Sequence, residues 1–132
     1  MRTVSTATIA ALVLQALWTA NALAQAMTPM RGVVTSFADE FAVRVHPFNP
    51  YKHRIRVVVK VYDEKFRPVS AVVAPAEMVL GAGSSRTVTV SVGFQGQPVR
   101  RVRICTESVP FPNARQLIKA QICGKFLAKR AF

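Results

Sequence analysis

The chain has 132 residues and a formal net charge of +12, from 18 lysines and arginines against six aspartates and glutamates. This length is enough for one domain with one hydrophobic core and excludes a chain of several full-sized domains. The charge favours an anionic partner, although net charge bears on association and solubility and not on fold.

The first residues have the features of a cleaved signal peptide. A basic start at Arg2 precedes a mostly apolar stretch, Ala7–Ala20, and two overlapping A-x-A sites follow, Ala22–Ala24 and Ala24–Ala26. The apolar stretch is short for a bilayer span, so an uncleaved membrane anchor is the less favoured alternative. We predict a signal peptide at 1–24 and export to a bacterial periplasm.

Export changes what the charge implies. Removal of the signal peptide takes away Arg2 and leaves 17 cations against six acids, a net charge of +11 on 108 residues. Nucleic acid is the first partner to consider for so basic a cytosolic protein, but it is scarce outside the cytoplasm. The remaining anions are an acidic protein surface, lipid headgroups and acidic cell-wall polymers, and a basic surface without a particular partner is equally open. No later segment is long and apolar enough to cross a membrane.

Residues 25–36 are expected to be a flexible lead-in to the domain. Pro29 limits regular structure there, and chain ends are often loose. A short edge strand at Gly32–Thr35 is the one regular element predicted in this segment.

Alternation of apolar and polar residues predicts short strands after the lead-in. The clearest is His53–Tyr62, whose β-branched residues at every second position form an unbroken inward face. Pro47 and Pro50 are expected to end the strand before it. The other predicted strands are Phe41–His46, Val69–Ala74, Met78–Leu80, Arg86–Val92 and two runs within Arg100–Arg130.

About seven short strands, with turn signals between them and no helical period, are typical of an immunoglobulin-like β-sandwich. An OB-type barrel is the structural alternative, but it usually has five longer strands. We therefore predict an all-β protein with a single immunoglobulin-like β-sandwich over residues 37–132.

The last part of the chain predicts a hairpin with an apolar face and a basic face. Its two runs flank a turn signal, Val109–Ala114, and the centre of the turn falls at Ala114 if Cys105 lies opposite Cys123. Side chains alternate across a strand, so each run divides into two faces. The apolar face holds Val102, Ile104, Ile118, Ala120, Ile122 and Phe126, and the basic face holds Arg101, Arg103, Lys119 and Lys125 with both cysteines.

Two cysteines in an exported chain favour a disulfide over free thiols. Closing the loop of 17 residues between Cys105 and Cys123 stabilises the fold by about 3 kcal/mol in the chain-entropy model. A metal site with His46 and His53 is the alternative, but the closely spaced cysteine or histidine pairs typical of zinc sites are missing. We predict a disulfide, no metal and no cofactor.

The acids do not form a catalytic pattern. They lie in predicted turns, as Asp39-Glu40 and Asp63-Glu64, or singly, as Glu77 and Glu107. Turn carboxylates are usually solvated, and no nucleophile elbow, phosphate loop or H-E-x-x-H motif is present. We therefore expect a protein that is not an enzyme.

Several short motifs follow one another in the middle of the chain. They are Asn49-Pro50, Tyr62-Asp63-Glu64, Pro68-Val69, Val73-Ala74-Pro75, Met78-Val79-Leu80, Gly83-Ser84-Ser85-Arg86 and Val88-Thr89-Val90. In this order they resemble the first domain of periplasmic pilus chaperones, which has the PapD-like immunoglobulin fold. The resemblance covers residues 37–92 and extends to the hairpin.

The resemblance implies a binding function for the last two strands. In the family these strands hold a pilus subunit that lacks its own final strand. The chaperone's last strand completes the subunit by edge pairing, with alternating apolar side chains in the vacant groove. Some members join the two strands by a disulfide, which Cys105 and Cys123 resemble. The residues carried over are the apolar series Ile118, Ala120, Ile122 and Phe126, with Arg44 and Lys119 as candidates to grip the subunit's C-terminal carboxylate.

Two features depart from the family's pattern. The family has a second immunoglobulin-like domain, whereas one domain is expected here. The apolar series contains the small Ala120 and is interrupted by Gly124, so it is alternatively part of the protein's own core.

Two functions of different class follow. The first is a non-catalytic, chaperone-like module that binds a pilin-like protein subunit along its last strands. The second is a small basic envelope protein whose Arg101, Arg103 and Lys125 dock on an anionic surface. The predicted register places Arg103 opposite Lys125, and like charges in such a pair destabilise a sheet. Added salt weakens anion docking but not strand pairing, and the oligomeric state stays open.

Overall fold

The computed structural model describes residues 26–109, 111 and 119–131, and this part of the chain is all-β. The predicted signal peptide at 1–24, Ile118 and most of the predicted hairpin turn lie outside the described residues. No helix in the described ranges has the length and apolarity needed to cross a membrane.

Nine strands form two sheets in this part of the chain, rather than the about seven strands predicted, and the predicted all-β sandwich is confirmed. The order is β1-β3-β7-β5 in the four-stranded sheet and β2-β9-β8-β4-β6 in the five-stranded sheet. The strands are β1 (Ala26–Thr28), β2 (Arg31–Ser36), β3 (Glu40–Phe48), β4 (Ile55–Tyr62), β5 (Ala71–Ala74), β6 (Glu77–Leu80), β7 (Val88–Gly93), β8 (Val99–Val109) and β9 (Ala120–Arg130).

The core lies between the sheets and is built by the alternation seen in the sequence. The even-numbered valines of β7, the odd-numbered residues of β4 and alternate residues of β3 are buried, and their neighbours face outward. The inward faces predicted for these strands are therefore confirmed. The core residues of these three strands are Phe41, Val43, Val45, Ile55, Val57, Val59, Val61, Val88, Val90 and Val92.

Strand β3 continues through Pro47 to Phe48, so the prediction that Pro47 ends it was wrong. Pairing with β7 ends at the Val45–Val88 pair, and beyond this point the Arg86 N–H donates to the Pro47 carbonyl. On its other side this end of β3 pairs with β1. Proline has no N–H to donate. At Pro47 the ladder of hydrogen bonds with β7 has already ended, so no ladder hydrogen bond is lost.

The structure does not keep residues 26–36 as a flexible lead-in. Strand β1 pairs antiparallel with β3, and β2 pairs parallel with β9, so this segment contributes to both sheets. Met27 is 2% exposed and belongs to the core. The predicted edge strand at Gly32–Thr35 is confirmed and is one residue longer at each end. Short strands whose partners lie far along the chain leave little local pattern. For this reason the sequence analysis missed β1 and the pairing of both strands with the two sheets.

Asn49 of the Asn-Pro motif is a buried structural link. Its Nδ2 donates to the carbonyls of His53 at 2.8 Å and Leu80 at 3.0 Å, and its Oδ1 accepts from the Tyr51 N–H at 2.9 Å. These bonds satisfy the side chain and join the β3–β4 connection to the end of β6.

Candidate functional site

The β8–β9 hairpin has the predicted register. Cys105 lies opposite Cys123 and Arg103 opposite Lys125. The two cysteines form a disulfide with their Cα atoms 4.0 Å apart, which is close to the spacing of a non-hydrogen-bonded antiparallel pair, about 4.5 Å. The hairpin pairing and the disulfide predicted from the sequence are therefore confirmed.

Strand β9 is covered along only half of its outer edge. From Lys125 to Arg130 it pairs with β2, whereas Ala120–Gly124 pairs in the described part of the chain with β8 alone. The N–H of Lys125 donates to the Met30 carbonyl at 2.9 Å, so odd-numbered residues of β9 turn their backbone groups toward β2. By alternation, Gln121 and Cys123 present their N–H and C=O groups at the open edge. We call Ala120–Gly124 the open half of the last strand.

Gly124 marks the boundary between the halves. A Cβ atom placed there meets the Phe126 ring at 2.8 Å, the Met30 carbonyl oxygen at 3.0 Å and the Met27 Cε at 3.2 Å. The chain crosses from the four-stranded to the five-stranded sheet between β1 and β2, directly beside this residue. The glycine permits that close approach, and the open half ends where the crossing begins.

The apolar series of the last strand is split by this boundary. Phe126 and Ala128 are 3% and 0% exposed and belong to the protein's own core. Ala120 and Ile122 are half-buried, and Ile122 packs against the core cluster from one side. Lys119, just before β9, is exposed. The side chains that face the core side of the open half in the described residues are thus Ala120 and Ile122.

A groove on the outer face of the five-stranded sheet collects the basic residues. It has a volume of about 680 Å³, and Arg31, Arg101, Arg103 and Lys125 line it together with Glu64. Arg31 of β2 and Arg103 of β8 both lie opposite Lys125, so three cations form one cross-strand row. We call this the basic groove. It brings together three of the four basic residues predicted for the hairpin, without Lys119, and adds Arg31, which was missed because only the β2–β9 pairing places it there.

The loop after β4 holds two of these arginines. Arg101 Nε is 3.2 Å from Glu64 Oε1, and the guanidinium of Arg103 lies 4.4 Å from the centre of the Phe66 ring. Asp63 organises the loop, because its Oδ1 accepts the Arg67 and Lys65 backbone N–H groups at 2.9 and 2.8 Å. The hydrogen bond from the Arg67 N–H is the largest cause that lowers the pKa of Asp63.

The protein's own acids leave part of the groove without a counter-charge. Five of the six carboxylates are in ion pairs, and none of the pairs in the described ranges includes Arg31 or Lys125. One of them joins Glu107 to Lys60 at 2.9 Å and raises the pKa of Lys60, mainly through that hydrogen bond. Among the described residues, the Arg31–Lys125 pair therefore has no carboxylate of the protein as a direct ion-pair partner.

The structure does not assemble the predicted carboxylate-binding pair Arg44 and Lys119. Arg44 is exposed on the outer face of β3 in the four-stranded sheet, and Lys119 precedes β9 of the five-stranded sheet. The two residues thus belong to different sheets. Arg31 of β2 instead lies directly opposite Lys125 of β9, so the early-strand arginine beside a lysine of the last strand is Arg31.

The histidines and cysteines have separate surroundings. His46 Nδ1 lies 3.1 Å from Thr87 Oγ1, and His53 Nδ1 lies 3.1 Å from the Arg54 carbonyl oxygen. Both cysteines are in the disulfide. Among the described residues, no three His, Cys, Asp or Glu side chains form a group that could hold a metal ion.

Comparison with solved structures shows the fold. The chain is similar to a Salmonella enterica complex of the SafA pilin with the SafB chaperone, with TM-score 0.66 and 16% identity over 82% of this chain and 55% of that one. It is also similar to the E. coli chaperone DraB, with TM-score 0.69 and 17% identity over 81% and 55%. No family model and no curated protein sequence matches the chain.

These likenesses define the class of domain. The chain has the PapD-like immunoglobulin fold of the pilus chaperones, as the sequence resemblance implied, and it spans about half the length of the chaperones it matches. The same fold occurs in SSP-19, an MSP-domain-like protein of Caenorhabditis elegans, with TM-score 0.57 and 12% identity over 81% of this chain and 99% of that one. Fold alone therefore does not assign the function.

Proposed function

We propose that this protein is a non-catalytic, chaperone-like binding module of the periplasm that holds a pilin-like subunit along its last strand. The observation that carries the proposal is the open half of the last strand, which exposes backbone hydrogen-bonding groups in line with β2. An exposed strand edge of this kind pairs readily with a strand of another chain.

The basic groove sets the direction of the bound strand. A subunit strand beside the open half lies end to end with β2, and the end that abuts β2 meets Arg31 and Lys125. If it runs parallel to β9, its C-terminal carboxylate reaches these cations. The antiparallel direction brings an ammonium group there, which the like charges oppose. The geometry thus favours a parallel strand that ends in a free carboxylate.

The side chains of the open half supply the remaining contact. Ala120 and Ile122 point to the core side and are half-buried, so they are available to a groove in a subunit that lacks a strand. Phe126 is already fully used in the protein's own core. This apolar contact is shorter than the one made by a long series of donated apolar side chains. Backbone pairing therefore contributes a correspondingly larger share of the binding.

A proline at the open edge tests the proposal. The backbone N–H of Gln121 points away from β8, so Gln121→Pro removes a donor that the proposed subunit needs while leaving the hairpin ladder intact. The measurement is purification of each variant from the native envelope in high salt, with identification of the retained subunit by mass spectrometry. We expect recovery to fall by about tenfold for Gln121→Pro, whereas the matched control Gln121→Ala keeps it.

Two outcomes count against edge pairing. Unchanged recovery of the same subunit by Gln121→Pro removes the open half from the binding site. Retention of partners in low salt alone, equally in both variants, supports docking on an anionic surface, because screening weakens exposed charge contacts beyond about 3 Å at 1 M salt.

A further inference from the structure

We propose that the partner segment entering the basic groove is an acidic tail, with at least one side-chain carboxylate in addition to its terminal carboxylate. This inference rests on the function proposed above and specifies the chemistry of the partner. Arg31 and Lys125 take the terminal carboxylate, and Arg101 and Arg103 take the side-chain carboxylate.

The charge of the groove requires more than one anion. Among the described residues, four cations line it and Glu64 is the one acid. The row of Arg31, Lys125 and Arg103 places like charges in directly opposed cross-strand pairs, which destabilises a sheet unless the charges are neutralised. A single terminal carboxylate leaves two of the four cations without a partner even when Glu64 is counted.

Arg103 also lacks part of its hydrogen bonding. Its Nε–H is buried and has no acceptor in the described part of the chain, while its Nη2 reaches the Glu64 carbonyl at 3.4 Å. An unsatisfied buried donor is unfavourable. A carboxylate beside Arg103, binding through two oxygens, offers an acceptor of the geometry that guanidinium groups prefer.

The path of a bound tail leads to these arginines. Because β2 occupies the edge position from Arg31 onward, the bound segment ends beside Lys125, where Arg31 and Lys125 meet its terminal carboxylate. Its side chains on the outer face point over the sheet toward Arg103, which lies opposite Lys125, and toward Arg101, the next residue of β8 on the same face. The groove's volume of about 680 Å³ is in the range of sites that enclose small ligands, about 300–1,000 Å³, so a tail of a few residues fits.

Labelled peptides provide the test. The probe is a fluorescein-labelled peptide of 12 residues. Every second residue is apolar, and a glutamate is third from the free C-terminus. Two further peptides replace this glutamate with glutamine or amidate the terminus. Fluorescence anisotropy measures their binding to the disulfide-bonded protein, to the variant Arg101→Gln/Arg103→Gln, and to the control Lys52→Gln/Arg86→Gln, which removes the same charge from exposed positions elsewhere.

The expected result is a coupling between the glutamate and the two arginines. Replacing glutamate by glutamine weakens binding about tenfold to the wild-type protein and to the control variant, but less than about twofold to Arg101→Gln/Arg103→Gln. Amidation of the peptide's C-terminus weakens its binding to all three proteins, the wild type and both variants. Circular dichroism and a thiol assay check that each variant is folded and keeps its disulfide.

The proposal and the function on which it rests fail differently. If the glutamate and glutamine peptides bind wild type equally while amidation still weakens binding, the acidic tail is wrong and strand binding stands. If no peptide binds, both are overturned. If phosphatidylglycerol vesicles bind to wild type and displace the peptide, but Arg101→Gln/Arg103→Gln retains the full preference for glutamate, a lipid headgroup is the occupant and the acidic tail is wrong.

Discussion

The two halves of strand β9 share one partner, β8, and differ in almost everything else. Lys125–Arg130 has β2 on its outer edge and sends Phe126 and Ala128 into the core. Ala120–Gly124 has an open edge in the described structure and half-buried apolar side chains. Among the described residues, one continuous strand thus has strand partners on both edges along one half and on a single edge along the other. The division falls at Gly124, where the N-terminal segment crosses between the sheets.

Truncating one apolar side chain in each half is the most direct test of this difference and has the largest expected effect. Phe126→Ala removes a buried ring and should lower the free energy of unfolding by about 3–5 kcal/mol. Ile122→Ala, at a half-buried position, should cost about 1–2 kcal/mol, below the range for fully buried isoleucine. Urea denaturation of the oxidised proteins measures both. Equal losses would show that the open half is as much a part of the core as the covered half.

The disulfide joins the open half covalently to β8. The double substitution Cys105→Ala/Cys123→Ala should lower stability by about 3 kcal/mol, because it releases the loop-closure constraint on the unfolded chain. Hydrogen exchange followed by mass spectrometry should show that the double substitution accelerates exchange relative to the wild type, and that the acceleration is larger over the open half than over 125–130. An equal acceleration of exchange in both halves would mean that the disulfide does not stabilise the open half selectively.

Gly124 is predicted to be intolerant of a side chain. Gly124→Ala places a Cβ against the Phe126 ring and the Met30 carbonyl, and we expect a loss of about 1–3 kcal/mol from overpacking. Exchange of the Lys125 N–H should also accelerate as its bond to Met30 weakens. The control is Gly81→Ala, where the nearest atom is at 3.5 Å and the change should stay within about 0.5 kcal/mol. Similar losses at both glycines would remove the special role of Gly124.

The smallest effect concerns the loop that supports the basic groove beside the covered half. The pKa of Asp63 lies below its ordinary value of 3.8, first because of the Arg67 backbone N–H. A lowered pKa means that this carboxylate's stabilising contribution is complete above the ordinary value and is lost as pH falls through the lowered one. An NMR titration of the Asp63 carboxyl carbon should therefore have its midpoint below 3.8. Arg67→Gln should leave the pKa lowered, because the backbone donor remains; a midpoint at or above 3.8 in the wild type would contradict this account.

Local pattern was sufficient for most strands and for the hairpin. The alternation of β4 and β7 and the pairing of Cys105 with Cys123 all follow from residues close in sequence, and the structure agrees. Pro47 was misread because the cost of a proline depends on where the neighbouring strand ends. The position of Arg31 in the groove was missed because a residue's surroundings depend on which strand its own strand pairs with.

The sequence by itself determined that this protein is built from alternating strands, with an apolar inner face, a basic outer face and a covalently joined final hairpin. These properties depend on side-chain alternation and on a bond between two nearby strands, so they can be read over short stretches. Only the tertiary structure decided that β2 lies parallel to β9 and begins opposite Lys125. That pairing joins opposite ends of the described chain, so no local pattern could reveal the open half or the place of Arg31 in the basic groove.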